Sequence, residues 1–392
     1  MTANNSQTNN TNPTVSVCMT SYNHAKFVGK AIISVLSQTF MDFEFIILEH
    51  ASTDNSLEII KSFEDKRIKL IIWEKNYHST FAANELLKTA KGRYLAFICS
   101  DDAWHPEKLA EQIRFLEINE NIAVAFTRID VIDENDNIMT SETPYHYYFN
   151  REGNRDKFSW LRFCYDFLFN PFCCSSAMVR KSVYDDIGPF EVRSRNMQDF
   201  IMWVSILFKY DVHILEKKLT IMRYFYSNSN VTGNTVNHHI IVCNEAKMHH
   251  ELFIENMKDL SVATRVFPEI KVQFTNLDSL DIPFYLAIIG IEAQRIDLRA
   301  YSLDILYGLM KSDENRSHLK QKYNFGHMDL YKISERTDIY RQKQMAIDYT
   351  YSEIYGVIKY VLVKMKLLWL ARLLFKIAKK CLKSLKFETI IF

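Results

Sequence analysis

The stretch VSVCMTSYNHAKFVGKAIISVLSQTFMDFEFIILEH, residues 15–50, holds two short apolar runs separated by a segment of helical periodicity. The pattern then repeats. It predicts strands at 15–19, 43–48, 68–73, 94–99 and 122–129, and helices at 25–38, 56–63, 80–90 and 108–119. Strands buried on both faces of a parallel sheet appear as continuous apolar runs of this kind. The sequence therefore predicts an α/β fold around a mostly parallel sheet.

Composition restricts the class of protein. The 392 residues are 48% hydrophobic and 24% charged, which is typical of a globular chain; at about 150 residues per domain, we expect roughly two to three domains. The net charge of +1 gives no overall positive field, so no nucleic-acid partner is expected. The chain has nine glycines and neither a GxGxxG nor a GxxxxGK(S/T) motif, which disfavours a dinucleotide oxidoreductase and a P-loop NTPase.

The cysteines and the N-terminal segment favour a reducing cytosol. The seven cysteines are odd in number and form no CxxC, so neither a disulfide framework nor a zinc ribbon is predicted. Residues 1–13 are polar and lack the basic and apolar regions of a signal peptide, and we expect a disordered leader there. Charged residues interrupt every long apolar window, so no membrane-spanning helix is expected.

The C-terminal segment differs in charge from the rest of the chain. Residues 351–392 hold nine Lys or Arg against two acidic residues, a local +7 that leaves −6 for residues 1–350. At 100° per residue one sector is basic and the opposite sector is apolar; the basic positions are Arg372, Lys376, Lys379, Lys383 and Lys386. Such a basic amphipathic helix is typical of binding to an anionic membrane surface. The alternative is a helix that packs its apolar sector on the protein.

The segment Ser100-Asp101-Asp102 follows the apolar run at 94–99. Ligands of open α/β sheets collect beyond the carboxyl ends of the strands, where two adjacent carboxylates can hold Mn²⁺ or Mg²⁺ against a diphosphate. The alternative is an acidic turn that caps the following helix.

Residues 15–56 and the segment AANELLKTAKGRYLAFICSDDAWHPEKL, residues 82–109, resemble the donor-binding half of inverting glycosyltransferase family 2, which has the GT-A fold. The first strand of that family ends in a turn that matches Thr20-Ser21-Tyr22-Asn23, whose aromatic ring packs against the nucleotide base. The metal-binding motif of the family falls on Ser100-Asp101-Asp102. The resemblance implies that Asp102 ligates the metal and that Asp101 contacts the sugar or ribose.

A later segment, Met197-Gln198-Asp199-Phe200-Ile201-Met202-Trp203, resembles the E-D-x-x-L-W segment whose Asp is the general base of the family. The resemblance gives Asp199 that role; the alternative is an Asp that only caps a helix. Upstream, residues 187–191 match the G-x-F-D/E turn of the family.

Three positions depart from the family pattern. The usual Asp-Asp after the second strand is Glu49-His50 here, so the nucleotide base that is bound stays open. A neutral His50 can accept the imide N–H that an Asp normally accepts, but it can also donate. Gln198 replaces the usual Glu beside Asp199, and the strand at 222–225 lacks the His of the family.

Two other clusters are given structural interpretations. The aromatic residues between Tyr145 and Phe172 are expected to be core more than a sugar-binding platform. The histidine pairs at 238/239 and 249/250 do not predict zinc, because adjacent helical residues point to different faces.

The resemblance implies a metal-dependent, inverting transferase that moves a sugar from a nucleotide-diphosphate donor to a hydroxyl of a glycan or lipid-linked acceptor. It would act in surface polysaccharide, capsule or glycoconjugate synthesis, at the inner face of the cytoplasmic membrane. A nucleotidyltransferase and a nucleotide-sugar-binding scaffold are the alternatives. The expected organisation is a GT-A domain at 14–235 with donor half 14–130 and acceptor half 131–235, a helical accessory region at 236–350, and the basic helix at 351–392.

Overall fold

The computed structural model describes residues 12–140, 143–225, 236–270, 280–293 and 295–337. The predicted leader, except for its last two residues, and the predicted basic helix at 351–392 lie outside the described residues.

The strands of the described residues form one mixed sheet. Their bounds are β1 Val15–Ser21, β2 Phe43–His50, β3 Ile68–Trp73, β4 Tyr94–Cys99, β5 Ala103–Trp104, β6 Ile122–Ile132, β7 Met178–Arg180 and β8 Asp211–Arg223. Their order across the sheet is β3-β2-β1-β4-β7-β6-β8-β5. Neighbours among β1 to β4 are parallel, as are β6 and β8, whereas β7 and β5 run antiparallel to their neighbours. The predicted parallel core is confirmed.

Helices cover the sheet and continue beyond it. Their bounds are α1 Val28–Leu36, α2 Ser56–Lys61, α3 Ser79–Thr89, α4 Lys108–Ile118, α5 Pro144–Asn150, α6 Lys157–Phe167, α7 Lys181–Ile187, α8 Gln198–Lys209, α9 Val236–Asn256, α10 Leu260–Val266, α11 Asp281–Ile291, α12 Ile296–Leu309, α13 Asp313–Tyr323 and α14 His327–Arg336. A 3₁₀ turn occupies Cys174–Ser176.

Alternate strand residues build two separate cores. On β1, Val15, Val17 and Met19 face a core with α1, α2 and α4, while Cys18 faces the opposite core. That second core is larger and receives α3 together with α6 to α9. Successive side chains of a strand point to opposite faces, so the strands separate two layers of helices.

One predicted helix is wrong. The sequence predicts a long helical segment near 289–310, but the structure has two helices there, α11 and α12, with extended backbone at Arg295 between them. The two helices pack closely at Gly290, where an added Cβ would lie 2.1 Å from Oγ of Ser302. Apolar periodicity continued across the turn because both helices face the same small core.

Beyond β8 the described residues are helical, as expected for the accessory region. Among the described helices, none combines the length and the apolar character that crossing a bilayer demands.

Candidate active site

The predicted donor residues gather where three parallel strands end. In register, Ser21 of β1 lies beside Glu49 of β2, and Thr20 lies beside Cys99 of β4. Tyr22 and Asn23 therefore follow β1 at the same edge of the sheet at which His50 ends β2. This edge is where α/β sheets bind ligands.

Side-chain hydrogen bonds join the loops that follow these strands. Asn23 has left-handed backbone, with φ of 54°, and its Oδ1 accepts the backbone N–H of Thr53 over 2.7 Å. The Glu49 carboxylate accepts the backbone N–H of Ser52 over 2.7 Å, so it is directed into its own loop. The loop after β1 also reaches the acidic motif, because Nδ1 of His24 lies 2.7 Å from Oγ of Ser100. The two loops and the motif thus form one surface.

The rings of Tyr22 and His50 stack with their centroids 5.2 Å apart and an interplanar angle of 20°. The tautomer of His50 follows from its partner. Oδ1 of Asn76 already accepts the backbone N–H of His78 over 2.8 Å and lies 3.1 Å from Nδ1 of His50, so Nδ1 is the donor. Burial lowers the pKa of His50, which keeps the ring neutral at pH 7. Its Nε2 is left with a lone pair that can accept a hydrogen bond.

Both oxygens of the Asp102 carboxylate are held by hydrogen bonds. It is buried, and its Oδ2 accepts the Ser175 hydroxyl over 2.5 Å while its Oδ1 accepts the Arg223 backbone N–H over 3.0 Å. Burial, and next the Asp101 carboxylate, raise the pKa of Asp102. Helix α4 begins at Lys108 after Glu107, so the acidic motif does not cap it.

The metal-ligand atoms of the motif suit a hard divalent cation. Ligand atoms of Cys99, Asp101 and Asp102 lie within 4.8 Å of one another. Two carboxylates that share a partly buried site raise the cost of ionising both, and a cation offsets that cost. Carboxylate oxygens are the ligands that Mg²⁺ and Mn²⁺ prefer.

In contrast, His249 packs in the core, where its ring stacks on Phe200 with centroids 5.0 Å apart.

Asp199 lies in the first turn of α8, where Met197, not Asp199, is the N-cap residue. Its side chain is partly exposed. Oδ1 accepts the backbone N–H of Phe200 over 2.8 Å, and Oδ2 accepts the Asn170 amide over 3.1 Å. Burial raises the pKa of Asp199 to about 6, although both hydrogen bonds act in the opposite direction. A carboxylate with this pKa accepts a proton readily near neutral pH.

The 3₁₀ turn at residues 174–176 brings the two carboxylates to one region. Burial first, and then the charges of Asp199 and Asp102, raise the pKa of the Cys174 thiol, so both charges act on this one side chain. Ser175 of the same turn bonds Asp102. Asn170, four residues before the turn, bonds Asp199 over 3.1 Å, so the segment at 170–175 contacts both the motif after β4 and the start of α8.

The segment before α8 is held by a residue from the accessory region. Glu245 of α9 is buried, and its carboxylate accepts four hydrogen bonds. The donors are Oγ of Ser194 at 2.8 Å and the backbone N–H groups of Arg195 at 2.7 Å, Asn196 at 2.9 Å and Met197 at 3.0 Å. Helix α9 thereby fixes the position at which α8, and with it Asp199, begins.

Five of these contributing residues were not predicted as site residues: Asn76, Asn170, Ser175, Arg223 and Glu245. The first four contact a predicted site residue directly, whereas Glu245 holds the segment at 194–197 before Asp199; all of these contacts join distant parts of the chain. The carboxylate of Glu245 lies 51 positions from Ser194, and Asn170 lies 29 positions from Asp199. Only Arg223 had a sequence signal, in the strand at 222–225 that weakly matches the family.

Comparisons with known proteins agree with this geometry. The family model described as glycosyl transferase family 2 matches residues 16–188. Two Escherichia coli UDP-Glc:alpha-D-GlcNAc-diphosphoundecaprenol beta-1,3-glucosyltransferases are similar to the chain. WfgD is 27% identical over 56% of this chain and 80% of its own length, and WfaP is 31% identical over 50% of this chain and 70% of its own length.

Among solved structures, the crystal structure of S. aureus TarS 1-349 in complex with UDP-GlcNAc has a TM-score of 0.50. At 15% identity it covers 79% of this chain and 91% of the TarS chain, so the likeness concerns the fold. The predicted GT-A fold with a C-terminal helical region is confirmed. The family-model match and the sequence similarity to WfaP show that the chain belongs to glycosyltransferase family 2 and is a glycosyltransferase.

Proposed function

We propose that this glycosyltransferase moves a sugar from a nucleotide-diphosphate donor to an acceptor hydroxyl, with inversion at the anomeric carbon. The observation that carries the proposal is that two residues of one short segment bond the two carboxylates, Asn170 to Asp199 and Ser175 to Asp102. One carboxylate is then placed for the leaving diphosphate and the other for the attacking hydroxyl. In this account residues 14–235 form the catalytic domain and 236–350 an accessory region that supports it.

We propose uracil as the first base to test. The names of WfgD and WfaP give UDP-Glc as their donor. In this chain, the stacked Tyr22 ring offers a face for a base, and the Nε2 lone pair of His50 can accept the imide N–H of uracil. His50 in place of the usual Asp then keeps a hydrogen-bond acceptor for the base and removes a negative charge.

Asp102 and Asp101 are the residues that would hold Mn²⁺ or Mg²⁺, with the Cys99 thiol beside them. When bound, the metal would neutralise charge that develops on the leaving diphosphate. Ser175 and Arg223 hold the Asp102 carboxylate in one orientation. Mutation of groups that orient a metal ligand typically costs about 10- to 100-fold in metal affinity or activity.

Asp199 would accept the proton of the acceptor hydroxyl. As the proton moves to Oδ of Asp199, the hydroxyl oxygen forms a bond to the anomeric carbon and the bond from that carbon to the diphosphate oxygen breaks. The nucleoside diphosphate leaves with the bonding electron pair. A single displacement inverts the anomeric centre. The Asn170 amide keeps Asp199 oriented and favours its ionised form.

The acceptor would be a glycan or a lipid-linked sugar of surface polysaccharide or glycoconjugate synthesis. The names of WfgD and WfaP place their acceptor sugar on diphosphoundecaprenol. The excess of seven positive charges in residues 351–392 would hold the enzyme peripherally at an anionic cytoplasmic membrane surface.

A thermal-shift screen tests the donor site. UDP-, GDP-, dTDP- and CMP-sugars are each added with and without Mn²⁺, because a ligand of the native state raises its melting temperature. We expect a Mn²⁺-dependent shift with UDP-sugars that Asp102→Asn abolishes. Absence of any shift would contradict the donor site, and binding without release of UDP in the presence of lipid-linked acceptors would favour a scaffold.

A further inference from the structure

Helix α5 presents aromatic side chains to solvent. None of its residues, Pro144–Asn150, is buried, and Tyr147 and Tyr148 are 51% and 39% exposed. The helix is nevertheless fixed to the sheet, because Asn150 exchanges two hydrogen bonds of 2.9 Å with the backbone of Ile129. The two tyrosines are therefore exposed on a helix that is anchored to the sheet.

The two tyrosines and Phe169 form a cluster that we call the aromatic corner. Ring centroids are 5.9 Å apart for Tyr147 and Tyr148, 5.0 Å for Tyr148 and Phe169, and 6.5 Å for Tyr147 and Phe169. The rings stand at 68° to 89° to one another. The guanidinium of Arg151 lies 4.6 Å from the Tyr147 ring centre. Ring faces, phenol hydroxyls and a cation thus occur side by side.

The aromatic corner adjoins the active site through two connections. Phe169 directly precedes Asn170, whose amide bonds Asp199 over 3.1 Å. On α5, the ring of Tyr145 packs on Tyr224 with centroids 5.5 Å apart, and the residue before Tyr224 donates its backbone N–H to Asp102. The aromatic corner is thus linked to Asp199 through Asn170 and to Asp102 through Arg223.

We propose that Tyr147, Tyr148 and Phe169 bind a sugar ring of the acceptor, the unit that carries or neighbours the reacting hydroxyl. This inference rests on the proposed function, since it takes Asp199 as the base. Sugar rings offer apolar C–H faces to aromatic rings and hydroxyls to polar groups beside them. A lipid chain would instead suit a continuous apolar surface, which the phenol hydroxyls and Arg151 interrupt.

Saturation-transfer NMR on the full-length protein tests the proposal. The probes are methyl glycosides of glucose, N-acetylglucosamine and galactose, each with UDP and Mg²⁺ in the same tube, and decyl phosphate as the lipid-like probe. We expect sugar-ring signals from at least one glycoside. The dissociation constant of that glycoside should rise about three- to tenfold in each of Tyr147→Ala and Tyr148→Ala, the range for loss of one aromatic contact.

Tyr331→Ala is the matched control, because Tyr331 is a 52% exposed tyrosine on α14. It should leave glycoside binding unchanged, and Tyr148→Phe should retain most of it. No glycoside binding by the wild type, equal binding by the alanine variants, or tyrosine-dependent binding of decyl phosphate alone would each overturn the proposal. The UDP signals distinguish the proposed function from the proposed sugar-binding role of the aromatic corner. If the wild type binds a glycoside but not UDP, the donor site is contradicted. If it binds UDP but no glycoside, the role of the aromatic corner is contradicted.

Discussion

The Asn170 side-chain amide donates a 3.1 Å hydrogen bond to Oδ2 of Asp199, the carboxylate proposed as the base. This bond stabilises the ionised form and opposes the burial that raises the pKa of Asp199 to about 6. Transfer should therefore depend on pH, because Asp199 becomes protonated and inactive as the pH falls below about 6.

Asn170→Ala should move the acidic limb of the pH–rate profile, the loss of transfer as the pH falls, to higher pH. Without the amide donor the ionised carboxylate loses stabilisation, and a hydrogen bond to a charged group corresponds to about one pKa unit. The measurement is kcat/KM for transfer between pH 5 and 8. Asn256→Ala is the control, since that amide bonds a carbonyl within α9. An acidic limb at the same pH in Asn170→Ala and the wild type would mean that Asn170 does not affect the ionisation that controls the rate.

Ser175→Ala should weaken metal binding about 10- to 100-fold, because it removes a group that orients the proposed ligand Asp102. Mn²⁺ titration followed by electron paramagnetic resonance measures the affinity directly, without turnover. Ser205→Ala is the control, since its hydroxyl bonds a backbone carbonyl within α8. Equal Mn²⁺ affinity in Ser175→Ala and the wild type would mean that the hydroxyl does not orient the metal ligand.

Glu245→Ala should lower both the stability and kcat. The change removes the acceptor of three donors, the Ser194 hydroxyl and the backbone N–H groups of Arg195 and Asn196, while the Met197 N–H keeps Oγ of Ser194 at 3.0 Å. Buried donors without partners cost about 1–3 kcal/mol each before water or rearrangement compensates, so we expect a net loss of about 3 kcal/mol. Urea unfolding and steady-state kinetics measure the two effects. Glu251→Ala, on the same helix, should alter neither, and a normal kcat in Glu245→Ala would show that α9 does not position Asp199.

Deleting residues 357–392 should release the protein from anionic vesicles. The attraction expected for a basic segment is about 1 kcal/mol per Lys or Arg near the surface and is screened by salt. Flotation with phosphatidylglycerol vesicles measures it, and phosphatidylcholine vesicles are the control. Flotation of the truncated protein together with the vesicles would place membrane binding elsewhere in the chain.

The sheet was predictable because its signals are local. Each parallel strand is a continuous apolar run, and β3 and β4 have the predicted bounds. The positions of Tyr22, His50 and Asp102 follow from their place at or just beyond the ends of such strands. The break between α11 and α12 was missed because close packing at Gly290 depends on a helix that follows it in the chain.

The supporting residues of the site could not be predicted in the same way. Ser175 lies 73 positions from Asp102, and Glu245 is one of several acidic residues on a helix with no motif. The proton position on His50 is set by Asn76, which depends on the folded loop after β3. Such contacts exist only once the chain is folded, and a single sequence carries no local pattern for them.

The comparison of Asp199→Asn with the wild type tests whether Asp199 is the general base. Transfer of labelled sugar to lipid-linked acceptor and binding of the nucleotide-sugar donor are measured on the same preparations. The account predicts that transfer falls at least about 100-fold, the lower range for loss of a general base, while donor affinity stays within about twofold. Transfer at the wild-type rate by Asp199→Asn would contradict the assignment of Asp199 as the base.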